Sequence, residues 1–204
     1  ITSAFTRYLK NDFTEAVFGA PTSDINFGTS IVPTFPRHPI ALAQGASVVD
    51  QLAPGRLKLG VGPSHKPAME GMYAFEFIRP LQHLREYLTI LSALLKEGKV
   101  SFQGKRLHAE AQLPGGPTEI KVMASALRAN AFRLCGEIAD GGISWVAPLP
   151  YLESVAVPAL KEGARKNDRE KPALIAHVPV CVHDDDAEVR AAFREQFSNY
   201  PNLP

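Results

Sequence analysis

The sequence has few cysteines, no excess of either charge and no long apolar run. Its 22 Lys and Arg nearly balance 21 Asp and Glu, so no overall field attracts nucleic acid or an anionic membrane. The two cysteines lie far apart, which argues against a disulfide framework and a cysteine metal site. No apolar run is long enough to cross a bilayer, and no signal peptide opens the chain. We therefore expect a globular, cytoplasmic protein that binds neither nucleic acid nor membrane, and Ile1 predicts a lost native start.

Several motifs with defined chemistry are also missing from the sequence. No Gly-x-Gly-x-x-Gly opens a helix after a strand, there is no phosphate-binding P-loop, and no repeat recurs at a fixed period. Glu137 and Asp140 have no paired acid for a two-carboxylate hydrolase. His83 precedes Glu86 by three residues, but no partner Glu-x-x-His completes a di-iron site. These absences disfavour a Rossmann domain and predict no metal site.

Strand and helix patterns alternate along the chain. Apolar runs predict strands at residues 26–32, 56–62, 119–125, 142–146 and 173–182. Apolar stripes predict helices at residues 38–52, 80–97, 129–139, 152–166 and 186–200, with Asp184 or Asp185 capping the last. Residues 63–79 are predicted to form a loop and residues 100–108 a hairpin. Alternating strands and helices define an α/β fold with parallel strands, which fits both a doubly wound sheet and a (β/α)8 barrel.

Three segments resemble luciferase-like monooxygenases. They are residues 28–39 (GTSIVPTFPRHP), 50–67 (DQLAPGRLKLGVGPSHKP) and 133–141 (RLCGEIADG). Their order and spacing agree with that family, and the resemblance runs from residue 13 to the C-terminus. The Arg-His-Pro and Ser-His-Lys-Pro forms are most similar to the branch that uses coenzyme F420, a deazaflavin. The FMN-dependent branch is the alternative.

The resemblance implies a TIM barrel of the bacterial luciferase type, formed by residues 1–204 as a single domain. About five of its eight strands are identified, corresponding to the third to the seventh, so the N-terminal and C-terminal strands are predicted to be missing. A piece of this kind would expose strand edges and is expected to be unstable alone. The active site is expected at the C-terminal ends of the strands, where a cofactor exchanges hydride with a small organic substrate.

Two histidines are the predicted catalytic residues. His65 follows the second strand directly, and an imidazole that titrates near neutrality suits proton transfer or a hydrogen bond to cofactor or substrate. A surface position in a loop is the alternative for His65. His38 opens a helix after the first strand, where it either contacts the substrate or caps the helix.

Four predicted cofactor-binding residues surround the first two strand ends. Gly62 would let the cofactor ring approach the backbone, although tight packing also explains a glycine there. Thr29 and Ser30 lie where the family often has a strained bulge that supports the ring, with an ordinary strand end as the alternative. Ser64 flanks His65 and is included for its position.

Three further residues match the turn that holds the cofactor phosphate in the family. Ser125 and Ala126 end the strand, and Arg128 stands where the family usually has glycine. A helix N-terminus favours anions, and the Arg128 guanidinium could bind a phosphate through two hydrogen bonds. A side chain directed to solvent is the alternative for Arg128.

The sequence therefore predicts an oxidoreductase that uses coenzyme F420 on a small-molecule substrate. An FMN-dependent monooxygenase is the alternative enzyme, and a non-catalytic flavin-binding or structural barrel is the alternative class. The resemblance also suggests a homodimer. Trp145 and His177 could line the barrel or belong to its core, and the sequence leaves both possibilities open.

Overall fold

The computed structural model describes residues 24–169 and 172–198. Its strands are β1 (Phe27–Gly28), β2 (Val32–Pro33), β3 (Leu57–Gly62), β4 (Lys99–Gln103), β5 (His108–Gln112), β6 (Lys121–Ala126), β7 (Gly141–Trp145) and β8 (Ala173–His177). Its helices are α1 (Pro39–Leu52), α2 (Lys66–Tyr73), α3 (Pro80–Glu97), α4 (Ala129–Ile138), α5 (Val157–Lys166) and α6 (Asp186–Gln196). A helical turn, Leu149–Tyr151, and a π-helical turn, Leu152–Ala156, lead directly into α5. Among the described helices, none is both long and apolar enough to span a membrane.

The main sheet is entirely parallel. Its order is β1, β3, β6, β7 and β8, and β2 pairs with β3 beyond β1, so that β1 and β2 are two halves of one interrupted strand. The hairpin β4–β5 is antiparallel and separate from it. The described residues thus contain five parallel strand positions, as the sequence predicts.

The helices cover one face of this sheet. Leu59, Val61 and Val122 are buried with the apolar side of α3. Gly142 faces α4, because a Cβ added to it would lie 3.3 Å from the Phe132 ring. On the opposite face, the Cβ position of Gly60 meets the Ile143 side chain of the same sheet. A doubly wound sheet carries helices on both faces, whereas a barrel carries them outside only. The structure therefore favours part of a barrel wall.

The longest helix, α3, forms the centre of the core. Its bounds match the predicted residues 80–97, and Gly98 ends it with a φ of 74°. The apolar stripe that predicts this helix consists of Leu81, Leu84, Leu88, Leu91 and Leu95, and all of these are buried except Leu81 in the first turn. On α1 the apolar stripe that predicts the helix includes Val48 and Leu52, but both are exposed, because Leu42, Ala46 and Val49 lie on the buried side.

Other predicted elements differ in extent from the structure. The predicted loop at residues 63–79 contains the helix α2, and the hairpin continues to Gln112 rather than ending at residue 108. The last predicted strand ends at His177 instead of residue 182. The predicted cap at Asp185 is confirmed, since its carboxylate accepts the backbone N–H groups of Ala187 and Glu188.

Helices α4 and α5 cross with their backbones in contact. A Cβ on Gly136 would lie 2.0 Å from the Leu160 carbonyl oxygen, and one on Gly163 would lie 1.9 Å from the Arg133 carbonyl oxygen. Real Cβ atoms do not come so close to backbone, so both positions require glycine or a wider crossing. This contact fixes the β6–α4 unit against the unit that follows β7.

Candidate active site

The C-terminal ends of the parallel strands lie along one edge of the sheet. They are Pro33, Gly62, Ala126, Trp145 and His177. The backbone is irregular along this edge: Ser64 and Val146 have φ angles of 63° and 43°, values that are uncommon for residues other than glycine. The pairing of β3 with β6 places Gly62 beside Ser125, and the segments that follow these strands, with Ser64, His65 and Arg128, begin at the same edge.

The first strand is interrupted at the predicted bulge. Between β1 and β2 the Thr29 hydroxyl donates to the Gly60 carbonyl at 2.7 Å and accepts the Gly60 N–H at 2.8 Å, so the side chain replaces ladder hydrogen bonds. The Ser30–Ile31 peptide bond is cis, and Ser30 is exposed. The Thr29 hydroxyl therefore has a structural role, and support of a cofactor by this segment stays a prediction.

Gly62 and Ser125 lie against each other on adjacent strands. A Cβ on Gly62 would stand 2.0 Å from the Ser125 hydroxyl oxygen and 3.1 Å from the Ile31 side chain. The missing side chain of Gly62 thus makes room for Ser125, which is half-buried. Ala126 is buried on the helix-covered face, so only its backbone could reach a ligand at the edge.

His65 and Ser64 form the connection from β3 to α2. His65 is half-buried at the start of α2, where its carbonyl accepts the N–H groups of Ala68 and Met69. Burial lowers the pKa of His65, so the imidazole is neutral at pH 7 and can accept a proton. The Ser64 hydroxyl is buried and has no hydrogen-bond partner among the described residues. A buried hydroxyl without a partner is unusual, which marks this turn as a place where a bound group could complete the hydrogen bonding.

His38 caps a helix, which is one of the two alternatives for it. The Nδ1 atom accepts the backbone N–H of Ile40 at 3.3 Å, directly at the start of α1. The ring is exposed at the same edge as His65. A contact of His38 with substrate stays a prediction.

Arg128 begins α4 at the end of β6. Its φ and ψ of −119° and 157° are extended values that any residue adopts, so replacement of the family's glycine causes no backbone strain. The side chain is exposed and makes no capping hydrogen bond. Just before it, the Leu127 carbonyl accepts a hydrogen bond of 2.7 Å from the Tyr151 hydroxyl. No local sequence pattern indicates this link, because Tyr151 lies 24 residues away in another unit.

A buried polar cluster lies behind the end of β2. The His83 ring stacks on Phe35, with 4.1 Å between their centroids, and Phe35 also stacks on Phe77. Burial lowers the pKa of His83 to about 4, an effect that the Thr34 backbone opposes. The Thr34 hydroxyl is buried and has no partner within the described residues. His83, a residue with no predicted role, therefore supports the loop that follows β2.

Trp145 and His177 meet at the ends of β7 and β8. They are paired in the sheet register, and their rings pack edge to face at 4.3 Å between centroids. Both side chains are half-buried, and burial lowers the pKa of His177. The sequence left each residue open between pocket and core, and the structure brings the two together. Across the described residues, no three His, Cys, Asp or Glu side chains converge as metal ligands.

The family model for luciferase-like monooxygenases matches residues 14–203. The chain belongs to this family. The resemblance carried by residues 28–39, 50–67 and 133–141 is thereby confirmed, as is the incomplete luciferase-type barrel of about five strands.

The relatives of this family member include enzymes named for coenzyme F420. An F420-dependent glucose-6-phosphate dehydrogenase from Beutenbergia cavernae is 33% identical and aligns with 84% of this chain and 53% of its own length. An F420-dependent tetrahydromethanopterin reductase from Methanopyrus kandleri superposes with a TM-score of 0.74 at 23% identity, over 86% of this chain and 56% of the other.

A flavin enzyme shares the same fold. The FMN complex of a type II Baeyer–Villiger monooxygenase from Pseudomonas putida gives a TM-score of 0.69 at 21% identity, over 93% of this chain and 59% of the other. The chain thus spans little more than half the length of the proteins that it matches. At these identities the two solved structures establish the fold and leave the choice of cofactor open.

Proposed function

We propose that this chain provides the cofactor-binding edge of an oxidoreductase that transfers hydride between coenzyme F420 and a small organic substrate. One observation carries the proposal: adjacent strands β3 and β6 bring the Gly62–Ser125 contact, the Ser64–His65 turn and Arg128 to the same edge. Parallel-barrel enzymes place their chemistry at this edge. The name of the Beutenbergia cavernae relative supports the choice of coenzyme F420.

The residues fit the chemical parts of such a cofactor. Gly62 makes room for the Ser125 hydroxyl, which can hydrogen-bond to a flat ring bound at this edge, and Arg128 with the N-terminus of α4 suits an anionic group such as a phosphate. A bound deazaflavin would supply the carbon that gives or accepts the hydride. Within the proposal, Thr29, Ser30 and the backbone of Ala126 complete the cofactor surface.

His65 is the proton-transfer residue of this proposal. When an alcohol is oxidised, its carbon loses a hydride and its hydroxyl loses a proton, and a neutral imidazole can take that proton. The lowered pKa of His65 keeps the imidazole in the accepting form at neutral pH. His38, at the start of α1, is proposed as a second contact to the substrate.

Cofactor titration of the full-length protein tests the proposal. Reduced F420 and reduced FMN would be titrated separately and followed by fluorescence. We expect tighter binding of the deazaflavin, because the Arg37-His38-Pro39 and Ser64-His65-Lys66-Pro67 segments resemble that branch. Equal or tighter FMN binding would favour a flavin-dependent monooxygenase, which the fold shared with the Pseudomonas putida enzyme supports. Binding of neither cofactor would favour a non-catalytic barrel.

The single-domain organisation of residues 1–204 and the formation of a homodimer are parts of the same proposal. The match of one family model across residues 14–203 supports a single domain. Sedimentation of the full-length protein at several concentrations measures the oligomeric state directly.

A further inference from the structure

The sheet has an inner face that the described helices leave uncovered. The Cβ positions of Gly60 and Gly62 lie against Ile143 and Ser125, which are side chains of the sheet itself. Because side chains alternate along a strand, Trp145 shares this face with Ile143. His177 shares it by the same rule with Ile175, which is 38% exposed. The inner face therefore ends, at the C-terminal edge, in the Trp145–His177 pair.

Among the strands that the structure describes, no charged side chain lies on the C-terminal half of this inner face. By the pairing and alternation of the strands, the inward positions in their C-terminal halves include Pro33, Gly62, Ser125, Ile143, Trp145 and His177. Lys58 and Lys121 share the face but lie near the N-terminal ends of β3 and β6, where they are exposed. Burial lowers the pKa of His177, which keeps its imidazole neutral at pH 7.

A dianionic substrate would be poorly stabilised at such a surface. Phosphate groups bound by proteins are usually met by Arg, Lys or a helix N-terminus, and burying a charge without a partner is strongly unfavourable. The exposed Arg128 and Lys66 begin the helices that follow β6 and β3 and do not lie on the inner face, and the proposed function assigns Arg128 to the cofactor. An aromatic pair packed edge to face instead offers a large apolar surface with a fixed orientation.

We propose that Trp145 and His177 form the wall of the substrate pocket and that the substrate is an uncharged, largely apolar alcohol or carbonyl compound. This inference rests on the proposed function and narrows it. It predicts a specificity different from that of the relatives named glucose-6-phosphate dehydrogenases, although they are up to 33% identical to this chain.

The test compares two compounds that each contain a six-membered ring, cyclohexanol and glucose 6-phosphate, with the full-length protein and oxidised F420. Oxidation of cyclohexanol to cyclohexanone transfers a hydride to the coenzyme and releases a proton, so loss of F420 absorbance measures turnover. We expect kcat/KM to be at least about tenfold higher for cyclohexanol, the size of effect that one matched apolar contact provides. Trp145→Ala should raise the KM for cyclohexanol about fivefold or more, while Trp145→Phe should retain most of the affinity. The matched control is Leu149→Ala, a change at a residue that is 65% exposed near the same edge.

A binding measurement separates this inference from the proposed function. Trp145 is the single tryptophan of the sequence, so the difference in tryptophan fluorescence between wild type and Trp145→Phe comes from Trp145. This difference reports ligand binding at the pocket wall in the absence of cofactor. We expect cyclohexanol to shift this emission saturably and glucose 6-phosphate to leave it unchanged. Efficient turnover of glucose 6-phosphate, or an emission shift with that compound alone or with neither compound, would overturn the inference. If F420 fails to bind but cyclohexanol shifts the emission, the proposed function fails and the apolar wall stands.

Discussion

The two edges of the parallel sheet differ in how completely their polar groups are paired. At the N-terminal edge, the Asp140 carboxylate accepts the Val122 N–H at 2.8 Å and forms ion pairs with Lys96 and Arg169. Arg169 also donates to the carbonyls of Ile138 and Ala139, which end or follow α4. At the C-terminal edge, the buried hydroxyls of Thr34 and Ser64 have no partner among the described residues.

The difference shows which edge is built for stability. In barrel proteins the N-terminal face carries stabilising contacts and the C-terminal face carries the chemistry. The positive φ angles of Ser64 and Val146 and the π-helical turn that precedes α5 all lie at the C-terminal edge. Unfavourable local conformations of this kind concentrate at functional sites. The comparison therefore predicts that changes at one edge reduce stability and that changes at the other reduce ligand binding or turnover.

The largest effect is expected for Asp140→Ala at the N-terminal edge. The change leaves the Val122 N–H without its acceptor and removes two ion pairs, which should lower the free energy of unfolding by about 3 kcal/mol. Urea unfolding of the full-length protein measures this, with Glu97→Ala as an exposed control on the same end of α3. Cofactor affinity of the folded variant should be unchanged. A loss below about 1 kcal/mol would contradict the structural role.

At the other edge, Arg128→Ala should reduce cofactor affinity without reducing stability. Loss of a charged hydrogen bond to the cofactor phosphate should weaken binding by about 1.5–3 kcal/mol, which is roughly tenfold to a hundredfold. A cofactor analogue without the phosphate should bind wild type and variant alike. Fluorescence titrations measure the affinity of the variant for both ligands. If Arg128→Ala weakens the binding of both equally, or of neither, Arg128 does not bind the phosphate.

The buried His83 predicts a pH dependence of stability. Its pKa is about 4 in the folded protein and 6.5 in the reference state, so between these values the unfolded chain binds a proton that the folded chain does not. The contribution of His83 is complete above about pH 6.5 and is lost as the pH falls towards about 4; it should decrease by about 2 kcal/mol between pH 7 and pH 5. Urea unfolding at both pH values should show a smaller decrease in His83→Gln. The same decrease in variant and wild type would refute the assignment.

Replacement of His65 should affect turnover more than folding. If the imidazole accepts the substrate proton, His65→Ala should lower kcat at least about tenfold, equivalent to about 1.4 kcal/mol of activation free energy. His108→Ala, in the exposed hairpin, is the matched control. Steady-state kinetics with circular dichroism measures both effects, and unchanged turnover in a folded variant would exclude the catalytic role.

The smallest effect is expected at His38, whose capping role can be separated from a substrate contact. His38→Ala removes the acceptor of the Ile40 N–H and should cost about 1 kcal/mol of stability or less. Asparagine is a favourable N-cap, so His38→Asn should restore stability. Turnover that stays low in His38→Asn would indicate a substrate contact, and restored turnover would leave only the cap.

The regular part of the fold could be predicted from the sequence because its signals are local. The apolar period of α3 and the strand-helix alternation each depend on neighbouring residues, and both were predicted closely. The helix α2 was missed because Pro67, Gly71 and the polar residues around them are typical of a loop. The resemblance located the bulge after β1, but not the Thr29 hydroxyl that replaces the ladder there.

The candidate site was predictable only residue by residue. Single residues such as His65 and Arg128 could be predicted because each follows the C-terminal end of a predicted strand. Their contacts depend on the register between strands distant in sequence: Trp145 meets His177 only because Gly141 pairs with Ala173. The Tyr151–Leu127 hydrogen bond likewise joins two residues that lie 24 positions apart in the sequence. No local pattern specifies such geometry.

The backbone contact between α4 and α5 makes residues 121–166 suitable for exchange as one block. Gly136 and Gly163 lie on opposite helices, and each faces a carbonyl of the other. A homologous segment that carried both glycines would bring a complete interface with it, together with the positions that correspond to Arg128 and Trp145. Replacing only α4 or only α5 would pair a foreign helix with the native one. Any Cβ at the position of Gly136 or Gly163 would then force the two helices apart. Recombination between relatives should therefore succeed when its boundaries lie outside this pair of helices, so that the proposed cofactor-binding and substrate-binding residues are inherited together.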